Sequence, residues 1–478
     1  MAKMILGPLI GGLSHTSVNL WARADSDCTL YAWLATKKDK SDIRLAGKSQ
    51  LTDATAFAGI VPIKKLKPET NYFIALTLVN KKPTRKEFKR FRTFPKLGQL
   101  RPFRFVFGSC FCLMGDHPGE AFRHILENQR DLAFLMMLGD QVYADEWKYN
   151  GIGHVAVTLD EYRQVYLKTW SDPDLKEILA NVPVFMTLDD HEVDNDWRWD
   201  DSSREIASVP WYTRAIRRMA GRPLHERRIP RQRIRAALKA YWEHQGIHAP
   251  KMLIPMERRE GIGDFDLTEE DAGSLAYTFY YGAAAFFVMD TRTRRIRNRK
   301  TQIVLGEAQK KILKEWLLDV KDVYPLKFLV SSSALLFEMF GDMANDRWSG
   351  YRKERDQLLF FMAENGIENL FLLAGDLHEA HAISTELPGP NGKPIPLWEF
   401  CSTPFKQGIN WLAKLLIVEN SSVALKNTRI HFSIPHINYG VVEVDFDQTG
   451  KPHLNYTVNY KDKTWKTRSI SPDAQPFQ

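Results

Sequence analysis

The 478-residue sequence predicts a mixed α/β protein that begins with an all-β domain. Residues 17–23 and 29–34 alternate apolar and polar side chains with period two, which is typical of strands that bury one face. From Phe103 onward, short apolar runs alternate with helical patterns, which indicates an α/β core. Several of these apolar runs end in polar clusters, and ligands in such proteins bind at strand ends.

The N-terminal segment carries one motif with a structural meaning. Leu66-Lys-Pro-Glu-Thr-Asn-Tyr72 precedes an apolar run that begins at Phe73. The pattern Leu-x-Pro-x-Thr-x-Tyr is similar to the tyrosine corner of fibronectin type III domains. We therefore predict a fibronectin-like β-sandwich over residues 1–97, and residues 95–102 are predicted to contain a linker.

The second domain is predicted to cover residues 98–460 and to alternate strands with helices. The predicted strands are 103–107, 132–138, 182–188, 276–290, 326–331, 369–374 and 439–445. The predicted helices are 119–129, 159–169, 306–318 and 352–365. Residues 461–478 are predicted to form a C-terminal tail.

Residues 195–275 interrupt this alternation and are predicted to be a helical, Arg-rich insertion beside the site. Residues 211–240 contain nine Arg and one Lys against a single acid, Glu226. Such a stretch fits a lid or an interaction face. It also supports an alternative function, a nucleic-acid-binding protein or nuclease that uses this basic segment.

Composition restricts the class of protein and its setting. Lys and Arg number 66 against 58 Asp and Glu, a net charge of +8, which favours an anionic substrate. Four cysteines are too few for a disulfide framework, so reduced thiols and a cytoplasmic location are expected. The N-terminus has no apolar core typical of a signal peptide, and no apolar run is long enough to predict a membrane span.

Four short segments each follow a predicted strand and carry side chains that bind metals. They are residues 107–110, 138–145, 187–192 and 373–378. Burying several carboxylates together is unfavourable unless cations balance them. One composite metal site is therefore expected, with Asp140 directed into the crevice because Gly139 allows a close approach.

Each segment also has a structural alternative. Gly139-Asp140 alone would fit a plain turn, and the cluster at residues 189–192 would fit a helix N-cap. Cys110 would fit simple packing in the core. Asp376 and His378 are two residues apart, which places both on one side of an extended segment and predicts a shared centre.

The donor types indicate which ions are expected. A thiolate at Cys110 and a phenolate at Tyr143 favour trivalent iron, whereas carboxylate oxygens suit a harder ion such as calcium. Arg292 and Arg295 follow another strand, where a guanidinium would fit a pair of phosphate oxygens. For Arg292 and Arg294 the alternative is a solvated basic turn.

At these residues the chain resembles the alkaline phosphatase D (PhoD-like) family of metallophosphoesterases. The resemblance extends from the N-terminal Gly7-Pro8 to about residue 460. The motifs that carry it are Ser109-Cys110, Gly139-Asp-x-x-Tyr143, Asp189-Asp-His-Glu192, Asp290-x-Arg292-x-x-Arg295 and Gly375-Asp-x-His378. It implies a four-layer αββα metallophosphoesterase domain behind the fibronectin-like one.

The resemblance also implies an activity and its cofactors. The expected reaction is hydrolysis of phosphomonoesters or phosphodiesters by a metal-bound hydroxide, with Fe³⁺ and Ca²⁺ as the ions and other divalent metals as the alternative. The expected substrate is a small phosphoester or a nucleotide, and neither nucleic acid nor a membrane is an expected partner. A non-catalytic scaffold is a third hypothesis, against which the strand-end carboxylates argue.

Residue roles follow from the matching motifs. Cys110 and Tyr143 match iron ligands, and Asp140 matches the bridging carboxylate. Asp190, Asp376 and His378 match other metal-ligand positions. His191 is expected to protonate the leaving group or bind the phosphoryl oxygens, Arg292 to act in catalysis as the phosphate clamp, and Arg295 to bind substrate. Phe111 departs from the family, where Gln is common, and the Arg-rich insertion has no clear family counterpart.

Overall fold

Seven strands at the N-terminus form two sheets of three and four antiparallel strands. The computed structural model describes residues 2–198, 229–254, 274–298, 300–338, 346–409, 426–460 and 463–466. The strands are β1 (Met4–Gly11), β2 (Val18–Ala24), β3 (Cys28–Ala35), β4 (Arg44–Leu51), β5 (Ala58–Ile63), β6 (Asn71–Thr77) and β7 (Lys89–Arg92). Their orders are β1-β2-β5 and β4-β3-β6-β7, which confirms the predicted β-sandwich.

The tyrosine corner forms as the motif predicts. The Tyr72 hydroxyl accepts a hydrogen bond from the backbone N–H of Lys67 at 2.8 Å, and its ring stacks on Phe91. One feature was not predicted: β1 pairs in parallel with a strand of the second domain at Gly11 and Val184. The three-stranded sheet is therefore continuous with the large sheet that follows, and the domain boundary near residue 97 stays a prediction.

The rest of the described chain supplies two larger sheets and two sets of helices. The strands are β8 (Phe103–Gly108), β9 (Phe134–Leu138), β10 (Val184–Thr187), β11 (Met252–Ile254), β12 (Ser274–Tyr281), β13 (Ala284–Val288), β14 (Ile296–Arg297), β15 (Gln302–Ile303), β16 (Leu326–Ser333), β17 (Leu370–Gly375), β18 (Ala380–Pro388), β19 (Pro394–Cys401), β20 (Lys426–Ile434), β21 (Tyr439–Phe446), β22 (Pro452–Tyr460) and β23 (Lys463–Lys466). The helices are α1 (Glu120–Asn128), α2 (Leu159–Thr169), α3 (Pro173–Asn181), α4 (Arg231–Tyr241), α5 (Gly306–Val320) and α6 (Arg352–Glu364).

The two sheets pack face to face and present their parallel strand ends at one edge. Their orders are β23-β22-β21-β8-β9-β10-β1-β2-β5 and β11-β12-β13-β16-β17-β19-β18-β20. The central strands β8, β9 and β10 are parallel, as are β13, β16, β17 and β19. Parallel neighbours end on the same side of a sheet, so loops from both sheets can meet there.

Alternation of side chains along these strands produces the four layers. Phe105 of β8 packs edge-on against Phe328 of β16, with ring centroids 5.5 Å apart, in the apolar layer between the sheets. Val106 faces the opposite way, into the layer formed with α1 to α4. Leu329 likewise faces α5 and α6. This arrangement confirms the predicted αββα architecture.

Several elements differ from the sequence prediction, among them β18, β19, β20 and β22, which were not predicted. The run 276–290 is two antiparallel strands, β12 and β13, because Gly282 turns the chain at φ +52°. Helix α3 was not predicted, although Asp172 caps it by accepting hydrogen bonds from the N–H groups of Asp174 and Leu175. In the run 276–290, the long apolar pattern concealed the turn at Gly282.

The predicted insertion and tail lie only partly within the described residues. Helix α4 confirms helical structure over 231–241, whereas 199–228 and 255–273 lie outside the described residues. Within the predicted tail, 463–466 form β23 and 467–478 lie outside. Among the described helices, none has the length and apolar character needed to cross a membrane.

Loss of the tyrosine corner should destabilise the β-sandwich. We expect Tyr72→Phe to lower the free energy of unfolding by about 1 kcal/mol, because the Lys67 N–H would lose its acceptor. Urea unfolding of the purified variant measures this change. Tyr31→Phe on β3 is the matched control, since the Tyr31 hydroxyl makes no hydrogen bond within the described residues. Equal destabilisation by both changes would contradict the assignment.

Candidate metal centre

The loops that follow β8, β9, β10 and β17 meet at the strand-end edge of the two sheets. The backbone N–H of Asp376 donates to Ser109 Oγ at 3.0 Å, which joins the loop of one sheet to that of the other. A Cβ on Gly375 would lie 2.6 Å from the same oxygen, so glycine is needed for this approach. The four predicted segments therefore form one site.

The first group of donors surrounds one carboxylate oxygen. Cys110 Sγ and Tyr143 Oη each lie 3.3 Å from Asp140 Oδ2, and Tyr143 Oη lies 3.2 Å from His378 Nε2. Donor atoms of Cys110, Asp140 and His378 all lie within 4.8 Å of one another. A thiol, a phenol, an imidazole and a carboxylate thus converge on a space that fits one ion.

A second group consists mainly of carboxylates and shares a member with the first. Asp140, Asp189, Asp190 and Asp376 offer oxygens within 4.8 Å of one another. Asp140 also groups with Asp190 and His191. Asp140 is therefore the side chain common to the thiol-containing group and the carboxylate group, which is the position that a bridging ligand needs.

Asp189 was not singled out from the sequence, although it stands within the predicted Asp-Asp-His-Glu motif. A third acidic group joins Asp190 to Asp196 and Asp346, and neither of these last two residues was predicted. Asp346 is distant in sequence from the strand-end motifs, so no local pattern identifies it.

Four predicted ligands adopt left-handed backbone conformations, which are uncommon for residues other than glycine. The φ angles are +62° at Cys110, +56° at Asp140, +69° at Asp376 and +55° at His378. Such strain persists where surrounding structure enforces it, and it concentrates at functional sites. The expectation that Asp376 and His378 lie on an extended segment was wrong, because both lie in a turn. They belong to different donor groups that share Asp140.

Burial makes the anionic forms of these donors unfavourable without a cation. It raises the pKa of Asp140 and Asp190 well above the ordinary carboxyl value. It also raises the pKa of Asp376 to about 7 and that of the Cys110 thiol to about 12. In addition, Asp189 Oδ2 is buried without a hydrogen-bond partner among the described residues. The donor set therefore fits bound metal, which would balance the charge and displace the protons.

His191 lies beside this cluster and is held by a carboxylate. Its Nδ1 lies 2.7 Å from Asp145 Oδ1, and its ring packs 4.1 Å from that of Tyr143. Burial alone would lower the pKa of His191, but the charges of Asp145, Asp190 and Asp140 raise it well above the usual value. Asp145 therefore orients the imidazole, and the role of His191 as a proton donor stays a prediction.

The predicted substrate arginines bind carboxylates in this structure. Arg292 is fully buried and donates to Asp189 and Asp346, with a third contact of 3.3 Å to Asp190. Arg295 is also buried and contacts Asp346 Oδ1 at 3.1 Å. The alternative of a solvated basic turn is wrong for Arg292, and the role of both arginines toward a substrate stays a prediction.

A further arginine was missed from the sequence. Arg347 Nε lies 3.3 Å from Asp376 Oδ2, and 13% of its side chain is exposed. It lies outside the strand-end motifs, so no sequence pattern assigned it to the site.

One arginine in the described part of the Arg-rich insertion is buried and makes hydrogen bonds within the protein. Arg233 of α4 donates to Asp194 Oδ2 at 2.7 Å and to the Ala156 carbonyl at 2.9 Å. These bonds fasten α4 to the loop after β10. The remainder of the basic stretch lies outside the described residues, and the nucleic-acid alternative stays a prediction.

Comparison with known proteins assigns the family. A family model described as PhoD-like phosphatase matches residues 105–451. The chain belongs to the PhoD-like phosphatase family. It is 25% identical to alkaline phosphatase D of Bacillus subtilis (strain 168) over 325 residues, which is 61% of this chain and 48% of the relative. The chain thus spans about half the length of that curated relative.

Solved structures agree with the fold. A structure of PhoD superposes with a TM-score of 0.71 at 20% identity, covering 98% of this chain and 90% of that one. The purple acid phosphatase PPD1 from yellow lupin (Lupinus luteus) seeds gives a TM-score of 0.57 at 13% identity, with 97% and 74% covered. These matches confirm the predicted metallophosphoesterase fold, and the family model confirms the predicted PhoD-like family.

Metal binding should release protons. At pH 7, when no cation is present, burial keeps the Cys110 thiol protonated and leaves Asp376, whose pKa it raises to about 7, protonated in part of the molecules. A divalent ion must displace them, so affinity should increase as the pH rises. Calorimetric titration of chelator-stripped protein with Mn²⁺ in two buffers of different ionisation enthalpy measures the release. Binding without proton release would contradict this account of the site.

Proposed function

We propose that this chain hydrolyses phosphoester bonds by using metal ions held at the strand-end edge. The main support is the position of Asp140, whose carboxylate is shared by a thiol-containing donor group and a carboxylate group. The family assignment supports the same reaction class. Substrates would be small phosphomonoesters, phosphodiesters or nucleotides.

Two kinds of ion match the two donor groups. Fe³⁺ would be held by Cys110 and Tyr143, with Asp140 as the bridging ligand, because thiolate and phenolate are anionic donors suited to a trivalent ion. Ca²⁺ would be held by the carboxylates of Asp190 and Asp376, and other divalent metals are the alternative. His378 lies closer to the first group by its contact with Tyr143. When bound, such ions act as Lewis acids toward water and the phosphoryl oxygens.

The protein side chains would supply orientation and a proton. His191, held by Asp145, would donate a proton to the leaving oxygen of the ester. Arg292 keeps Asp189 and Asp190 in place through its hydrogen bonds. A direct phosphate contact from Arg292 or Arg295 would require donors that now bind Asp346.

The proposal includes a cytoplasmic location. All four cysteines, Cys28, Cys110, Cys112 and Cys401, are free thiols in the structure. Unpaired thiols support a reducing compartment such as the cytoplasm.

Replacing the shared carboxylate should abolish activity. We expect Asp140→Asn to lower turnover of p-nitrophenyl phosphate and bis-p-nitrophenyl phosphate by at least about 100-fold, the scale of removing one group that stabilises charge in the transition state. Asn tolerates the φ of +56° at this position, so the fold should persist. Metal content, measured by mass spectrometry, should fall in parallel.

Asp131→Asn provides a matched control for that change. Asp131 precedes β9, is exposed and has a φ of +53°, so the same substitution is made in the same backbone conformation. It should leave activity and metal content unchanged. Wild-type turnover in Asp140→Asn would end the proposed function.

Iron bound by Cys110 and Tyr143 should colour the protein. Charge transfer from thiolate or phenolate to Fe³⁺ predicts a visible absorption band that Cys110→Ser or Tyr143→Phe removes or shifts. Cys112→Ser is the control, because this thiol is also buried but faces the Lys406 carbonyl at 3.3 Å. A colourless, iron-free and active wild type would refute the iron assignment and leave the hydrolase proposal intact.

A further inference from the structure

Glu192 binds the backbone of both loops that carry the central carboxylates. It is fully buried, and its two oxygens accept hydrogen bonds from three backbone N–H groups. The donors are Asp140 at 3.1 Å, Gln141 at 2.9 Å and Asp189 at 3.0 Å. Glu192 itself belongs to none of the donor groups found among the described residues. Its carboxylate therefore fastens the turn after β9 to the turn after β10.

The fourth hydrogen bond to Glu192 comes from the helical insertion. Gln245 Nε2 donates to Glu192 Oε1 at 3.1 Å and to the Tyr166 hydroxyl at 3.0 Å. Gln245 is fully buried and lies in a π-helical turn, Trp242–Gly246, that continues α4. Such turns in α-helices occur frequently at functional sites, because they redirect side chains from the helical pattern.

This π-helical turn is itself fixed by strand β2 of the N-terminal domain. Trp21 Nε1 donates to the Glu243 carbonyl at 2.9 Å. Arg23 Nη1 lies 3.0 Å from His244 Nε2, while His244 Nδ1 lies 2.8 Å from the Ala240 carbonyl. Since a guanidinium only donates, Nε2 accepts and Nδ1 carries the proton. A continuous series of contacts therefore connects β2, through the π-helical turn, to the loops that carry the metal-binding carboxylates.

The charge of Glu192 is compensated by these four donors. In the part of the chain that the structure describes, no Lys or Arg forms an ion pair with it. A buried carboxylate is tolerated when several N–H groups donate hydrogen bonds to it. If one of these donors is lost, the remaining hydrogen bonds are poorly arranged. The Asp140 turn has a φ of +56° and needs such support to keep its position.

We propose that Glu192 and Gln245 form a positioning pair that sets the geometry of the metal ligands Asp140 and Asp189. This inference rests on the proposed function, because it assumes that these carboxylates bind metal. Glu192 acts on the backbone of the ligand loops, and Gln245 acts through Glu192. Neither residue touches the substrate.

The test measures Mn²⁺ binding to chelator-stripped protein by calorimetry, together with kcat and KM for bis-p-nitrophenyl phosphate. We expect Glu192→Gln to weaken Mn²⁺ affinity by about 10 to 100-fold, the range for residues that orient metal ligands. The NH₂ group of the glutamine introduced at position 192 would face backbone N–H groups, and it cannot accept hydrogen bonds from them. Gln245→Leu should weaken affinity by about tenfold. In both variants kcat should fall while KM changes little, because substrate binding groups are retained.

A double-mutant cycle and a matched control complete the design. The double variant should bind Mn²⁺ no more weakly than Glu192→Gln alone, because Gln245 acts through Glu192. Tyr166→Phe removes the other partner of Gln245 but not the bond to Glu192, so it should keep wild-type affinity. Thermal unfolding of all variants shows how much each change affects the fold.

Three results would overturn the positioning pair. They are wild-type Mn²⁺ affinity in Gln245→Leu, fully additive losses in the double variant, and an equal loss in Tyr166→Phe. If Glu192→Gln does not fold, the comparison of Gln245→Leu with Tyr166→Phe decides alone. A wild type that binds no Mn²⁺ and hydrolyses no ester would refute the proposed function instead.

Discussion

The structure of the site depends on burying several carboxylates around Asp140. Four of them, Asp140, Asp189, Asp190 and Asp376, place oxygens within 4.8 Å of one another in the interior. Like charges at this distance cannot all persist in a medium of low dielectric constant without cations. Arg292 and Arg347 each contribute one such charge. The remaining negative charge must be balanced by protons or by metal, and the donor types favour metal.

The two facing sheets hold this cluster together because hydrogen bonds cross-link their strand ends. Thr187 Oγ1 donates to the Met289 carbonyl at 3.2 Å, and Ser332 Oγ donates to Asp189 Oδ1 at 2.7 Å. Behind them, the ring of Phe185 from β10 stacks on that of Phe279 from β12 in the opposite sheet, with centroids 3.8 Å apart. Aromatic packing sets the distance between the sheets, and that distance determines which carboxylates can meet.

The sequence was sufficient to locate the site but not to arrange it. Apolar strands followed by Cys110, Asp140, Asp190 or Asp376 could be identified locally, because a strand end is a short-range feature. The role of Asp346 could not, because it depends on long-range contacts with Arg292 and Arg295. The turn at Asp376 was predicted as extended because alternation was applied beyond the end of β17. A left-handed φ at a non-glycine residue has no reliable sequence signal.

The same limit applies to Glu192 and Gln245, which are separated by 53 residues and meet only through the tertiary fold. From its local sequence, Glu192 is predicted to be part of a helix cap or a further metal ligand. Neither prediction describes a carboxylate that accepts hydrogen bonds from the backbone of two turns. The fold class was predictable because it rests on periodicity, which each segment carries by itself. Long-range polar contacts depend on how the segments are brought together.

Charge balance also bears on how a phosphate group would reach Arg292. Burial raises the pKa of Asp346, but Arg292 and Arg295 lower it strongly, so this carboxylate stays ionised between the two guanidinium groups. An incoming phosphate that took its place would exchange one anion for another and leave both arginines paired. Removing Asp346 without a replacement would instead leave buried positive charge uncompensated, which is far more costly. The predicted role of Arg292 as a phosphate ligand would therefore require Asp346 to leave its guanidinium group.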